Sequence, residues 1–220
     1  MSFRIAAFTA SVFLAAALPA CAESFTFETV IERARNLASS AYSAPAPVPR
    51  FMRDMSYNDY QGIRFRMEKS LWANSESDFR VMMVPPGLFY THPVRINVVE
   101  NGEAQPLQFE KSQFEYPNPE IERLVPADLG YAGFKLTFPF DGPEVMNQFL
   151  VFAGASYFRA VGKDNNFGIS GRGIAVDTGL PSGEQFPAFV EFWLQKPAPG
   201  DTSFRLYGFC LLYTSDAADE

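Results

Sequence analysis

The chain has 220 residues, a net charge of −7, 47% hydrophobic and 20% charged residues, so burial can offset the entropy of ordering a core and a disordered chain is excluded. The acidic balance opposes a nucleic-acid backbone as partner, and one His with two Cys leaves no ligand set for an ordinary zinc site. The 23 Phe residues favour strands and stacking surfaces over a helical bundle.

Residues 1–22 read as an export signal. Arg4 is the basic start, Ile5–Leu18 the apolar run and Ala20-Cys21-Ala22 the small-residue cut. The run falls short of the ~20 apolar residues of a spanning helix. Leu18-Pro19-Ala20-Cys21 also resembles a lipoprotein box that would leave Cys21 acylated. Pro19 fits that box poorly, so soluble release is favoured over a lipid anchor. Either route delivers the mature chain to an oxidising compartment.

From Phe27 to Ala41, apolar residues at Val30, Ile31, Ala34, Leu37 and Ala38 follow helical spacing, with Thr26 as N-cap and Glu28 in the first turn. This short helix is expected to pack on a sheet edge. The Pro-rich stretch from Ala44 to Pro49 ends it and runs on as an extended connector.

Beyond Pro49 the period becomes two. Strands are predicted at Ile63–Met67, Phe79–Met83 and Val94–Val98. Asn101-Gly102 makes a hairpin turn favouring positive φ, with Leu107 and Phe109 on the return strand. Further strands follow at Phe134–Phe138, Phe149–Ala153, Ala155–Val161, Ile174–Val176, Val190–Leu194 and 204–209. Turn clusters between strands, without interleaved helices, predict an all-β antiparallel sandwich with one short N-terminal helix. The domain is drawn at 23–209. Residues 210–220, from Cys210 to Glu220, resemble a translated transposase sequencing adapter and are read as a non-native tail. On that reading Cys21 has no disulfide partner.

Simple catalytic motifs fail. His92, before Pro93 at a strand mouth, has no nucleophile elbow nearby and reads as structural. The glycine-rich Gly168–Gly173 segment lacks phosphate-loop and dinucleotide spacing and reads as a loop. What remains is a polar and aromatic stretch holding Tyr157, Arg159, Lys163, Asp164, Arg172, Asp177, Glu184, Glu191 and Trp193. Flat rings can cover the apolar face of a pyranose while guanidinium and carboxylate groups hydrogen-bond its hydroxyls. Composition alone fits exposed charges and a core Trp as well.

Several segments carry a resemblance. They include Phe51–Tyr60, Asp128–Lys135, Phe152-Ala-Gly-Ala-Ser-Tyr-Phe-Arg159, Phe167–Thr178, Pro181–Pro187 and Glu191-Phe-Trp-Leu-Gln-Lys-Pro197. Together they resemble the periplasmic glucan biosynthesis proteins G and D (the MdoG/OpgG family) from about Phe25 to Phe209. The resemblance implies export to the Gram-negative periplasm and a galactose-mutarotase-like supersandwich followed by an immunoglobulin-like domain. It also implies work on osmoregulated periplasmic glucans, β-1,2-linked glucose polymers, with some members acting as inverting endo-β-1,2-glucanases.

The chain is shorter than a full member, so an incomplete sandwich is expected, with unpaired edges that promote aggregation or degradation. The inverting mechanism needs two carboxyl groups roughly 6.5–9.5 Å apart. The resemblance puts that pair beyond this chain, and no catalytic residue is assigned. Tyr157, Arg159, Arg172, Asp177, Glu184, Glu191 and Trp193 are the expected substrate-binding residues. The acids are expected to organise a cleft wall with Arg159 and Arg172 as partners. β-1,2-Glucan and an inner-membrane glucan synthase are the implied partners; no cofactor, metal or nucleic acid is implied. Glucan hydrolase and non-catalytic scaffold both remain open, while a mutarotase-type epimerase rests on fold analogy alone.

Overall fold

The computed structural model describes residues 24–41, 43–154 and 157–212. The export signal at 1–22, Cys21 and residues 213–220 of the expected tail lie outside the described residues. Helix α1 (Phe27–Ala38) is followed by α2 (Arg50–Arg53), α3 (Tyr57–Gly62) and strand β1 (Arg64–Phe65). Strands β2 (Arg80–Val84), β3 (Arg95–Glu100), β4 (Glu103–Pro106) and β5 (Phe114–Glu115) lead to helix α4 (Pro119–Leu124). Then come β6 (Gly133–Phe138), β7 (Asn147–Ala153), β8 (Tyr157–Ala160), β9 (Gly171–Arg172), β10 (Ala188–Gln195) and β11 (Leu206–Leu211).

Two larger sheets, ordered β11-β10-β3-β4 and β2-β6-β7-β8-β9, face each other as a sandwich. Alternation decides what each presents. In β6, Phe134 and Leu136 point inward and are fully buried; in β10, Phe192 and Leu194 meet them from the opposite sheet. Phe152 joins the layer, its ring centroid 5.2 Å from that of Phe192 and 5.3 Å from that of Phe189. Each buried Phe contributes about 1.5–3 kcal/mol over an exposed one, so this aromatic layer is the principal adhesive between the sheets. At the other end Phe79 packs on Phe138 and Phe204, 4.8 and 5.6 Å between centroids.

The all-β class is observed, with four departures in detail. The sheets are antiparallel except for the β3–β10 pair, which is parallel. These strands are joined by the whole excursion through the other sheet, so no hairpin dictates their relative direction. The predicted strand at Ile174–Val176 is a loop held by one bridge, Val176 to Gln185, because Gly179, Pro181 and Gly183 interrupt the segment. The strand predicted at Ile63–Met67 shortens to β1, since its partner β5 is only two residues long. The hairpin forms at Asn101-Gly102, with φ of 53° and 80°, but its return strand is β4, ahead of Leu107.

The helices differ too. Three short ones join α1, two of them started by local caps. Ser56 Oγ accepts the Asp59 N–H at 3.1 Å, and Asn118 Oδ1 accepts the Ile121 N–H at 2.9 Å. Helix α1 begins after Thr26, as its capping residues dictate, and lies on the outer face of the four-stranded sheet along its edge strand β11. Val30 is its buried contact, packed in a satellite cluster with Val99 and Trp193. Strand β11 carries Cys210, half-buried, with its thiol pushed up to about 11 by burial. Among the described residues no helix is long and apolar enough to cross a membrane.

Candidate functional site

Strand register places Tyr157 opposite Arg172, and Arg159 opposite Val151, so these residues share the outer face of the five-stranded sheet. The following loop folds back over that face. Its closure comes from the Val176–Gln185 bridge and two turns, in which the Leu180 N–H donates to the Asp177 carbonyl and the Gly183 N–H to the Leu180 carbonyl. Gly183 adopts a φ of 93°, a conformation that costs glycine nothing. The return brings Glu184 beside Arg172. Nη2 donates to Oε2 at 3.0 Å, and Nε lies 2.6 Å from Oε1 as an ion-pair contact without a hydrogen bond. The same guanidinium carbon sits 5.7 Å from the centroid of the Phe186 ring. Arg159 Nε donates to Ser170 Oγ at 3.2 Å, and Gln185 Nε2 donates to Asp177 Oδ2 at 2.5 Å.

Beside this loop is a cleft of about 420 Å³ walled by His92, Pro93, Tyr157, Phe186 and Phe189. Its floor approaches Gly154, at a φ of 56°, where an added Cβ would fall 2.3 Å from the Tyr90 ring. Tyr157 and Phe186 are 40% and 60% exposed, so both offer ring faces to a ligand. The His92 ring is oriented by Thr91, Nδ1 lying 2.9 Å from Oγ1. His92, read from the sequence as structural, and Phe186, not singled out there, both stand on the cleft wall. No local motif announces either, because it is the returning loop that joins them.

Glu191 and Trp193 lie elsewhere. Both point to the outer face of the four-stranded sheet, under α1. Glu191 is 4% exposed, yet its carboxylate is well partnered. Oε2 is 2.8 Å from Arg33 and 3.1 Å from Arg95, and Oε1 accepts from Asn97 Nδ2 at 3.0 Å. Trp193 stacks on Phe25, centroids 5.9 Å apart and planes 22° apart, and is buried among Val30, Val99 and Tyr207. The seven residues singled out in the sequence therefore fall into two groups. Tyr157, Arg159, Arg172, Asp177 and Glu184 gather around β8, β9 and the loop; Glu191 and Trp193 belong to the helix-covered face.

The ion pairs differ from the sequence expectation as well. Glu184 takes Arg172, but Glu191 takes Arg33 and Arg95, and Asp177 takes a glutamine amide. Each of the three acids is thus engaged in a fixed contact. Such an arrangement presents oriented donors and ring faces, which suits hydroxyl recognition better than proton transfer. Among the described residues no group of three or more His, Cys, Asp or Glu side chains is placed to hold a metal ion.

Comparison with known proteins places the chain in a lineage. The family model described as "Periplasmic glucan biosynthesis protein, MdoG" matches residues 25–212. Glucans biosynthesis protein G of Pseudomonas entomophila (strain L48) is 39% identical over 184 residues, covering 83% of this chain and 32% of that protein. Its counterpart in Dickeya dadantii (strain 3937) is 38% identical over 184 residues, 83% of this chain and 35% of that protein. That of Pseudomonas paraeruginosa (strain DSM 24068 / PA7) is 36% identical over 204 residues, 92% and 38% respectively. The chain spans about a third of the length of these curated relatives. With the family match running through nearly all the described residues, the chain belongs to the MdoG family of periplasmic glucan biosynthesis proteins.

Proposed function

We propose that this chain supplies part of the glucan-binding surface of an exported protein of periplasmic glucan biosynthesis. Its ligand on this reading is a β-1,2-linked glucose chain. The observation that carries the proposal is Arg172, paired with Glu184, opposite Tyr157 in strand register and set over Phe186, two rings that wall the cleft together with His92. A pyranose is amphipathic: its axial C–H face packs on aromatic rings while its equatorial hydroxyls need planar, directional donors. Tyr157 and Phe186 meet the first requirement, Arg172 and Arg159 the second. The clamp keeps the guanidinium from losing rotamer freedom on binding, which lowers the entropic cost of association.

Binding rather than hydrolysis is the role assigned to this stretch, because Asp177, Glu184 and Glu191 are each committed to another side chain. Delivery follows the export signal at residues 1–22, with soluble release favoured over acylation at Cys21. An inner-membrane glucan synthase is the proposed source of the nascent chain. The test uses the full-length gene product and linear β-1,2-glucan in a calorimetric titration. Arg172→Ala is expected to weaken binding about tenfold, the cost of a lost charged hydrogen bond. Unchanged affinity would overturn the assignment. Chain shortening that depended on Asp177 or Glu184 would show that this stretch does chemistry and not only recognition.

A further inference from the structure

We propose that the cleft between α1 and the four-stranded sheet is a second saccharide subsite, in which Arg33 and Arg95 bind hydroxyls and the buried Glu191 is the residue that positions them. The inference rests on the reading that the chain binds glucan, and it adds where a longer glucan would extend. The cleft measures about 800 Å³, and its walls include Arg33, Asn36, Leu37, Ser43, Arg95 and Phe209. It therefore combines donors, small hydroxyls and apolar surface, the mixture a sugar ring requires.

Glu191 explains how the donors are held. A buried carboxylate is costly unless it is paired, and Glu191 is paired with two guanidinium groups that it thereby holds in place. Its Oε2 holds Arg33 at 2.8 Å and Arg95 at 3.1 Å, in each case through Nη2, while Asn97 steadies Oε1. A guanidinium has five N–H donors in a fixed plane, so one contact with Glu191 leaves most of the fork for a ligand. Both arginine side chains reach solvent, at 44% and 66% exposure.

Charge selects the ligand class. Arg33 and Arg95 are balanced by Glu191 below them and by Glu32 on the cleft wall. A neutral polyol fits such a wall better than an anion, which would meet two carboxylates with two cations. Position supplies the link to the first site. Ala44, Pro45, Pro93 and Val94 line both this cleft and the His92–Tyr157–Phe186 cleft, so the two abut along a common wall. A short saccharide fills one cleft; a longer chain crosses the wall and touches both.

The experiment titrates the full-length gene product with linear β-1,2-linked glucose oligosaccharides from the disaccharide upward. Arg95→Ala removes an exposed side chain and leaves the sheet intact. It should leave the shortest ligands unaffected and weaken the longest about tenfold. Glu191→Gln should reproduce that length dependence, which a purely structural role would not, since misfolding would weaken all lengths together. Wild-type affinity of Arg95→Ala at every length overturns the proposal. So does Arg95-dependent binding of inorganic phosphate in place of oligosaccharide. If Arg172→Ala is silent while Arg95→Ala still weakens long chains, the first site fails and this subsite stands.

Discussion

Phe134 and Phe192 meet edge to face across the gap between the two sheets, with ring centroids 5.0 Å apart and planes at 86°. One comes from β6, an interior strand of the five-stranded sheet, and the other from β10 of the four-stranded sheet, so their contact fixes how the layers sit. The positive edge of one ring on the negative face of the other adds about 0.5–1.5 kcal/mol to the burial itself.

Truncating either ring should therefore be severe. Phe192→Ala is expected to cost about 3–5 kcal/mol, because sheets held on several sides cannot collapse into the void. Phe192→Leu should cost less. Urea denaturation followed by tryptophan fluorescence reads both, Trp193 being the next residue in the strand. Equal midpoints for Phe192→Ala and the unmodified protein would show that the sheets are held by something else.

Gly133, the first residue of β6, is the second point of fragility. Its φ is 155°, and a Cβ there would lie 2.0 Å from the Phe152 carbonyl oxygen across the β6–β7 pair. Gly133→Ala must separate two central strands or strain the backbone, at a cost of about 1–3 kcal/mol for the strain alone. Gly168 is the control, having open space around it and an ordinary φ. Gly168→Ala should be neutral or slightly stabilising through its effect on the unfolded chain. Matching thermal midpoints for the two variants would contradict the close approach.

Where structure follows from neighbours in sequence, the sequence was sufficient. Asn101-Gly102 announces its turn because both residues tolerate positive φ, and β3 and β4 must then pair. Thr26 announces α1 because a short polar side chain before an apolar period can satisfy free N–H groups. Alternation in Val190–Leu194 likewise shows that Glu191 and Trp193 share a face. It does not show what covers that face, and Phe25 and α1 arrive from the far end of the chain. The partners of Glu191 were hidden for the same reason: Arg33, Arg95 and Asn97 come from α1 and from a strand paired parallel over a long separation. Phe186 and His92 become neighbours only through the folded loop. Pairing rules of local origin carry the hairpins, and they are silent on contacts made by layers and returning loops.

Alkaline pH should unfold the domain through its buried phenols. Burial pushes the Tyr131 and Tyr116 hydroxyls up to about 12, and raises that of Tyr60 further, helped by Tyr90. The Tyr131 hydroxyl lies 2.8 Å from the Gln108 carbonyl and 2.7 Å from the Gln113 side-chain oxygen, and the nearby Glu110 carboxylate further opposes a phenolate there. The unfolded chain releases these protons near pH 10 while the folded one still holds them, so the native state binds more protons. The stability these phenols contribute is then fully present below about pH 10 and is lost as pH rises from there towards 12. Urea midpoints measured across that window should decline, and ultraviolet titration should show these phenolates appearing together with unfolding. A flat midpoint from pH 10 to 12 would contradict their burial.

The Arg172 clamp permits a sharper substitution than alanine. The ion pair with Glu184 is partly exposed, and such pairs contribute about 0–1 kcal/mol to folding. Arg172→Lys keeps the charge and should leave the thermal midpoint nearly unchanged. It loses the planar fork, and with it the simultaneous contact to both Glu184 oxygens and the guanidinium carbon's position over the Phe186 ring, 5.7 Å from its centroid. A lysine ammonium is a strongly hydrated point charge and cannot align two parallel donors on neighbouring hydroxyls. Affinity of the full-length gene product for β-1,2-glucan should therefore fall several-fold in Arg172→Lys, and Phe186→Leu should fall with it by removing the ring that holds the plane. If Arg172→Lys binds as well as the unmodified protein, charge alone suffices at this position, and the geometry of the clamp has no part in recognition.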